Sequence, residues 1–296
     1  MTRFLETLAS GLSLSAIYAL IALGFVIVYK ASEVVNFAHG SFVVGGSLVV
    51  ALTHSQIGFF PALLLGIGAG ALLALAVERL FVRPIRMAPV VSLAVLTIGV
   101  DIILATEFQR RIGDDTLSLG GPWGNSVMNL GAFSVPVSQV TSIVVVTMIL
   151  AVFFLAFKYT GWGIAMRASA EDGETADLLG VRPSRVSAST WIVAGALATI
   201  AGVFLTAFPN PGLDSATGSA ALVAFPAAII GGMDSTTGAV VGGLLVGISQ
   251  AFAGGYQEYL SFLGNGFSSV MPYVVMLLVL VVRPSGLLGT RELSRV

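Results

Sequence analysis

Apolar runs of roughly twenty residues, the length an α-helix needs to cross a bilayer, recur along this chain between short polar breaks. They predict membrane helices at 8–28, 35–53, 59–78, 90–107, 139–157, 189–208, 236–253 and 267–282, with a shorter apolar piece at 218–230. The period-two alternation of a membrane barrel is absent. In hydrocarbon every backbone N–H and C=O must be paired within its segment, so the runs are expected to be helical. The expected fold is a single all-α polytopic membrane domain over 1–296, with about 8–9 transmembrane helices, some of them discontinuous. The first run is longer than a signal-peptide core, follows Glu6 and precedes no small-residue cleavage site, so it is expected to be retained.

Arg79, Arg83 and Arg86 follow the third run; Lys158, Arg167, Arg182 and Arg185 lie in 158–188; Arg283, Arg291 and Arg295 follow the last run. Cytoplasmic loops carry the excess of Lys and Arg. That rule places these groups inside and 109–138 outside, despite Arg110 and Arg111. If 218–230 crosses, nine spans result, with the N-terminus outside and the C-terminus inside. If it is re-entrant, the parity breaks.

Composition changes the picture by exclusion. The chain is 56% hydrophobic and 10% charged, with a mean hydropathy of +0.97, where a soluble domain carries about 25% charged residues. A net charge of -1 gives no sign of a nucleic-acid partner. The absence of cysteine removes disulfides and thiolate metal sites. The lysines are Lys30 and Lys158 alone, outside any Gly-x4-Gly-Lys-Ser/Thr run, which excludes a P-loop nucleotide site. Neither His-Glu-x-x-His nor Gly-x-Ser-x-Gly occurs. An intramembrane enzyme using His39 with Ser41 is disfavoured, because helix neighbours that face one another are three or four apart.

The polar interruptions carry the remaining signal. In "EVVNFAHGSFVVGG", Glu33 to Gly46, a polar cluster falls between two apolar runs with almost no loop. Asn36 is a candidate N-cap, and His39 shares a helical face with it. Two readings stand: a discontinuous helix whose positive end lines a solute path, or a tight turn with Asn36 as cap and His39 packed against a neighbour. The second interruption, from Pro209 through "PGLDSATGSAALVAFPAAIIGGMDS", holds three helix breakers, Pro209, Pro211 and Pro226. It reads either as a pathway element or as an outer loop leading into a short tilted helix. "VVGGSLVV" at 43–50 is echoed by "VVGGLLVG" at 240–247, a weak sign of internal duplication. Small residues four apart at Gly66/Gly70, Ala198/Gly202 and Gly243/Gly247 fit close helix contacts. Asp101 lies inside a run, where a carboxylate is costly. It is read as paired to a neighbouring helix or as functional. Glu107 beside Arg110 and Arg111 reads as a solvated end.

The segment 158–188 balances Lys158, Arg167, Arg182 and Arg185 against Glu171, Asp172, Glu174 and Asp177. Within it "ETADLLG" predicts a short helix closed by Gly180 at C′. A charge-balanced helical hairpin suits a protein partner better than anionic lipid; a solvated connector is the alternative.

Three stretches, "GLSLSAIYALIALGFVIVYKASEVVNFAHGSF", "GIAMRASAEDGETADLLGV" and "AALVAFPAAIIGGMDSTTGAVVGGLLVG", resemble the inner-membrane permeases of branched-chain amino acid ABC transporters, in order along essentially the whole chain. "NFAHG" is closer to the LivH type of subunit than to the LivM type. The resemblance implies a type II ABC importer-like permease, not an enzyme, in the cytoplasmic (inner) membrane of a prokaryote. It carries no cofactor or metal of its own, ATP being bound by two partner ABC ATPase subunits. A second homologous permease of the LivM type, or a second copy of this chain, and an extracytoplasmic solute-binding protein complete the implied assembly. The implied substrate path comprises Asn36, His39, Gly40 and Ser41 with Gly212, Ser215, Gly218 and Ser219, His39 either lining the path or bracing it. ATPase coupling falls on Gly163, Arg167, Ala168, Glu171, Ala176 and Gly180. The implied cargo is a branched-chain amino acid, with urea, short amides or sugars carried elsewhere in the superfamily. An autonomous channel or secondary transporter is the competing class.

Overall fold

The computed structural model describes residues 2–290 apart from 125, 132, 210 and 265, so Arg291 and Arg295 lie outside the described residues. In chain order the helices are α1 (Thr2–Ser32), α2 (His39–Ile57), α3 (Phe59–Val77), α4 (Val90–Ile112), α5 (Val137–Tyr159), α6 (Gly161–Glu171), α7 (Gly173–Leu178), α8 (Pro183–Leu205), α9 (Thr217–Leu222), α10 (Phe225–Gly231), α11 (Thr236–Gly255) and α12 (Phe267–Val282). A π-helical turn, Glu78–Val82, and a 3-10 turn, Arg83–Ile85, prolong α3. An antiparallel hairpin of β1 (Val127–Leu130) and β2 (Phe133–Pro136), with Val127 opposite Pro136, joins α4 to α5. The apolar pattern did not predict it.

Among the described residues seven helices (α1–α5, α8 and α11) are long and apolar enough to cross a membrane, while the α9–α10 pair and α12 are apolar but shorter. Contacts sort the helix ends into two sets. At one end Leu117 and Leu213 exchange backbone hydrogen bonds of 2.8 and 2.9 Å, and Arg3 pairs with Glu258 at 3.1 Å. At the other, Lys30 donates to the Asp234 carbonyl at 3.0 Å and Ser187 to the Glu78 carboxylate at 3.2 Å. Leu213 precedes α9 and Asp234 follows α10, so the broken pair runs from one end of the bundle to the other. With that pair as one passage, successive segments alternate direction, and Thr2 and Thr290 fall at opposite ends.

α1 is the axis of the bundle. Its most apolar stretch is 89% buried, against 17% for α4 and for α5. Lipid is as apolar as a core side chain, so what holds helices together here is close packing and hydrogen bonding. α11 lies directly on α1: a methyl added to Gly247 would stand 2.2 Å from Ser15 N, and one added to Gly243 would stand 2.6 Å from Ala19 Cα. Tyr18 donates to Gln250 and Ser13 bonds Ser142, each at 2.7 Å; such bonds are worth on average ~0.6 kcal/mol. Gly66, Gly70 and Gly202 sit where α2, α3 and α8 cross, so all three small-residue spacings mark real contacts.

The break between α9 and α10 falls at 223–224, two residues before Pro226. After α12 the chain folds back under α10. Leu287 and Leu288 amides donate to the carbonyls of Ile230 (2.7 Å) and Gly231 (3.0 Å), groups a helix C-terminus leaves unpaired. The Asp234 carboxylate takes the Thr290 amide at 2.9 Å. The stretches 43–50 and 240–247 begin at the same offset from the starts of α2 and α11.

Candidate functional site: a polar cavity between severed helices

α1 ends at Ser32, and Glu33 follows it as a non-glycine residue at φ 55°. The linker that follows is buried without helical pairing, and Thr97 of α4 satisfies it. Its hydroxyl accepts from Phe37 N at 3.2 Å and donates between the carbonyls of Val35 (3.1 Å) and Ala94 (2.9 Å). Asn36 is not the N-cap of α2, as expected from sequence. It lies before the helix, its Oδ1 taking Ala38 N at 3.1 Å in an Asx turn, and Ala38 holds the capping position.

His39 is the first residue of α2. It is fully buried, its ring 4.5 Å from that of Phe25 and laid on the bare Cα of Gly24. Neither ring nitrogen has a hydrogen-bond partner. Of the two roles left open for it, bracing is the one the packing fits. A buried polar group without a partner costs about 1–3 kcal/mol, so His39→Leu is expected to retain or improve thermal stability and to leave uptake intact. Thermal shift and transport assays check this; a collapse of uptake in folded protein would assign the imidazole a polar role.

Two residues further, Ser41 donates to Asp101 Oδ1 of α4 at 2.6 Å. Gly40 brings α2 against α9: a methyl there would stand 2.9 Å from the Gly218 carbonyl. Between α2, α4 and α9 lies a cavity of about 200 Å³. Its polar lining is Ser41, Asp101, Gln109, Asp214, Ser215 and Ser219, its apolar wall Val44, Phe108 and Leu222. Asp214 is partly engaged, taking Ala216 N (3.1 Å) and the Thr217 hydroxyl (2.8 Å). Among the described residues no cation stands in this lining. The arrangement offers acceptors to a solute that brings N–H or N⁺–H donors, beside an apolar surface.

Five of the residues named from sequence, Gly40, Ser41, Ser215, Gly218 and Ser219, therefore meet at one cavity. Gly212 does not; at φ 106° it lines a separate outer cavity of about 260 Å³ with Thr116 and Trp123. Asp101 both pairs, with Ser41, and lines the cavity. Its signal was present as a carboxylate inside an apolar run. Gln109 and Phe108 gave none.

The segment after α5 folds back as α6 and α7. Gly163 is buried where a methyl would strike the Phe157 carbonyl. Arg167 turns back onto the end of α5, donating to the Phe157 carbonyl and lying 5.2 Å over the Phe157 ring. Ala176 is buried, Ala168 half-buried, and Glu171 and Gly180 exposed. Gly180, at φ 87°, ends the predicted helix in the left-handed region, with Val181 N returning to the Ala176 carbonyl at 3.0 Å. Leu178 and Leu179, 88% and 79% exposed, form an apolar tip. Asp172 caps α7 through the Thr175 hydroxyl and the amides of Thr175 and Glu174, which hold its carboxyl below the usual carboxylate range. The cap is in full force above that range and is lost only as pH falls through the depressed value. Asp172→Ala is expected to raise amide exchange across 173–178 at neutral pH; unchanged exchange would show the cap to be idle.

A family model, "Branched-chain amino acid transport system / permease component", matches residues 7–280. The chain is 31% identical to the high-affinity branched-chain amino acid transport system permease protein LivH of Escherichia coli K12, over 99% of this chain and 98% of the relative. It is 29% identical to the corresponding permease protein BraD of Pseudomonas aeruginosa, again over 99% and 98%. LivH of Methanocaldococcus jannaschii is 30% identical over 93% of this chain and 89% of that one. No solved structure matches.

Proposed function

The chain belongs to the branched-chain amino acid transport permease family, and from that premise we propose that the cavity between α2, α4 and α9 is the path of a branched-chain amino acid. A permease of this kind is a multi-pass membrane subunit of an ABC system and works with ATPase and binding-protein subunits. The observation that carries the path assignment is the cavity itself. The interrupted segment around α9 meets α2 and α4 there, bringing Asp214, Ser215 and Ser219 beside Ser41 and Asp101, hydroxyl and carboxylate groups where lipid-facing helices would offer none. Irregular backbone at membrane depth is tolerated only where protein buries it or water reaches it. Asp101 suits the α-ammonium group, and Val44, Phe108 and Leu222 suit a branched side chain.

The end that gathers Lys30, Arg83, Arg86, Arg167, Arg182 and Arg185 faces the cytoplasm of a prokaryote, since short cytoplasmic loops carry the positive excess. The N-terminus is then outside and Thr290 inside. α6 and α7 project from that face, and the Leu178–Leu179 tip meets the ATPases, with Glu171 and Glu174 exposed on the same two helices. Arg167 acts there by fixing α6 to α5. Two ATPases, a LivM-type permease or a second copy, and an external binding protein complete the assembly. The lipid-exposed faces of α4 and α5 leave room for the second permease.

A second reading has its own support: a lining rich in acceptors and free of cations also suits urea or a short amide. Uptake of labelled L-leucine and of labelled urea into proteoliposomes holding the full assembly separates the two. ATP-dependent leucine uptake is expected. Urea uptake alone would move the cargo to the second reading, and uptake by this chain without ATPases would select an autonomous channel.

A further inference from the structure

A second cavity, of about 260 Å³, lies behind α6 and α7 and takes no part in the path just described. The α1–α2 linker, the π-helical turn after α3 and the start of α8 form its other walls. Such π-turns are uncommon and recur at functional sites. This one opens with Glu78, 2% exposed, whose Oε1 takes the Ser187 hydroxyl at 3.2 Å. Its Oε2 has no hydrogen-bond partner; the nearest cation is the adjoining Arg79 Nε at 3.6 Å. The Ser169 hydroxyl in the same lining is buried and also unpartnered. Arg83 and Arg86 stand in the lining too, with Pro183 and Ser184 opening α8. Val34 and Val82 add an apolar wall, both buried.

A bare anion would meet the Glu78 and Glu33 carboxylates, and a bare cation would meet Lys30 and two guanidinium groups. A small molecule carrying both charges satisfies both, and an apolar side chain would find the valines. We propose that this cavity binds the α-amino acid that has accumulated in the cytoplasm, with its ammonium on Glu78 Oε2 and Ser169 and its carboxylate toward Arg83 and Arg86. Occupied, the site ties the π-turn, α6 and α8 together directly behind the surface that meets the ATPases, and slows import when product is plentiful. The ligand class rests on the reading of the chain as an amino acid importer permease.

The test uses the full assembly in proteoliposomes, with ATP and the ATPases inside and the binding protein outside. The initial rate of labelled leucine uptake is read as the ratio with and without unlabelled L-leucine preloaded in the lumen. Lumenal leucine is expected to lower the rate about fivefold or more, the lower end of ordinary coupling between sites. Leucinamide, which lacks the carboxylate, and 4-methylpentanoate, which lacks the amine, should each fail to do so. Glu78→Gln and Ser169→Ala should each bring the ratio toward one, the second serving if the first does not assemble. Robust uptake that ignores lumenal leucine overturns the site and leaves the importer reading standing. Equal inhibition in wild type and in an assembled variant overturns it as well. Absence of any amino acid uptake overturns the importer reading and the site with it.

Discussion

Gly242→Val is expected to leave the protein unable to assemble, the largest stability effect foreseen for any single change. A methyl on Gly242 would stand 1.9 Å from the Ala227 carbonyl oxygen of α10, and the neighbouring contact is as tight in both directions: Gly231 and Gly238 each lie within 2.2 Å of the other's carbonyl by the same measure. The obstructing atoms are backbone, so no rotamer change relieves them. Overpacking typically costs about 1–3 kcal/mol and more where nothing yields. Here the half-helix α10 would have to leave α11, and the Ile230 and Gly231 carbonyls would lose the returning tail. Gly68→Val is the matched control, since nothing lies within 4 Å of an added methyl there. Size-exclusion profiles of the two variants in detergent check the prediction. A monodisperse Gly242→Val protein would mean that α10 does not sit on α11 as described.

Asp101→Asn is expected to give folded protein whose leucine uptake falls by about ten- to a hundredfold. A hydrogen bond to a charged group contributes about 1.5–3 kcal/mol, and each 1.4 kcal/mol is a factor of ten. Asparagine can still accept from Ser41, so the α2–α4 contact survives while the charge offered to an ammonium group is lost. The loss should appear in transport rather than in protein yield. Uptake at the wild-type rate would make Asp101 a structural partner of Ser41 and nothing more.

Hydropathy marked the membrane elements well because crossing a bilayer demands it. The run at 267–282 coincides with α12, and those at 90 and 236 begin where α4 and α11 begin. It could not tell which helix is central. The apolar windows of α1 and α4 are similar in hydropathy, 2.3 and 2.0, yet one is the axis and the other faces outward. The piece at 218–230 reads as one element because its composition is apolar throughout; it divides at 223–224, two residues before Pro226, the second residue of α10. Polar interruptions located the cavity, since serine, glycine and aspartate at membrane depth need a reason. They leave the role of His39 open, because a histidine near a helix break reads the same whether it faces water or a phenylalanine. Arg167 was likewise legible as a charge in a cytoplasmic segment, but not as a clamp on its own preceding helix.

The chain has no cysteine, so a single introduced thiol reports on one position. With the full assembly turning over in proteoliposomes, Ser41→Cys and Ser219→Cys are expected to react with a charged, water-borne thiol reagent, more slowly when leucine and its binding protein are present. Modification should stop uptake, while Leu20→Cys in the α1 core stays unlabelled. If both positions remain unreactive through the whole cycle, or if fully modified protein still transports at the unmodified rate, the cavity between α2, α4 and α9 is not the path.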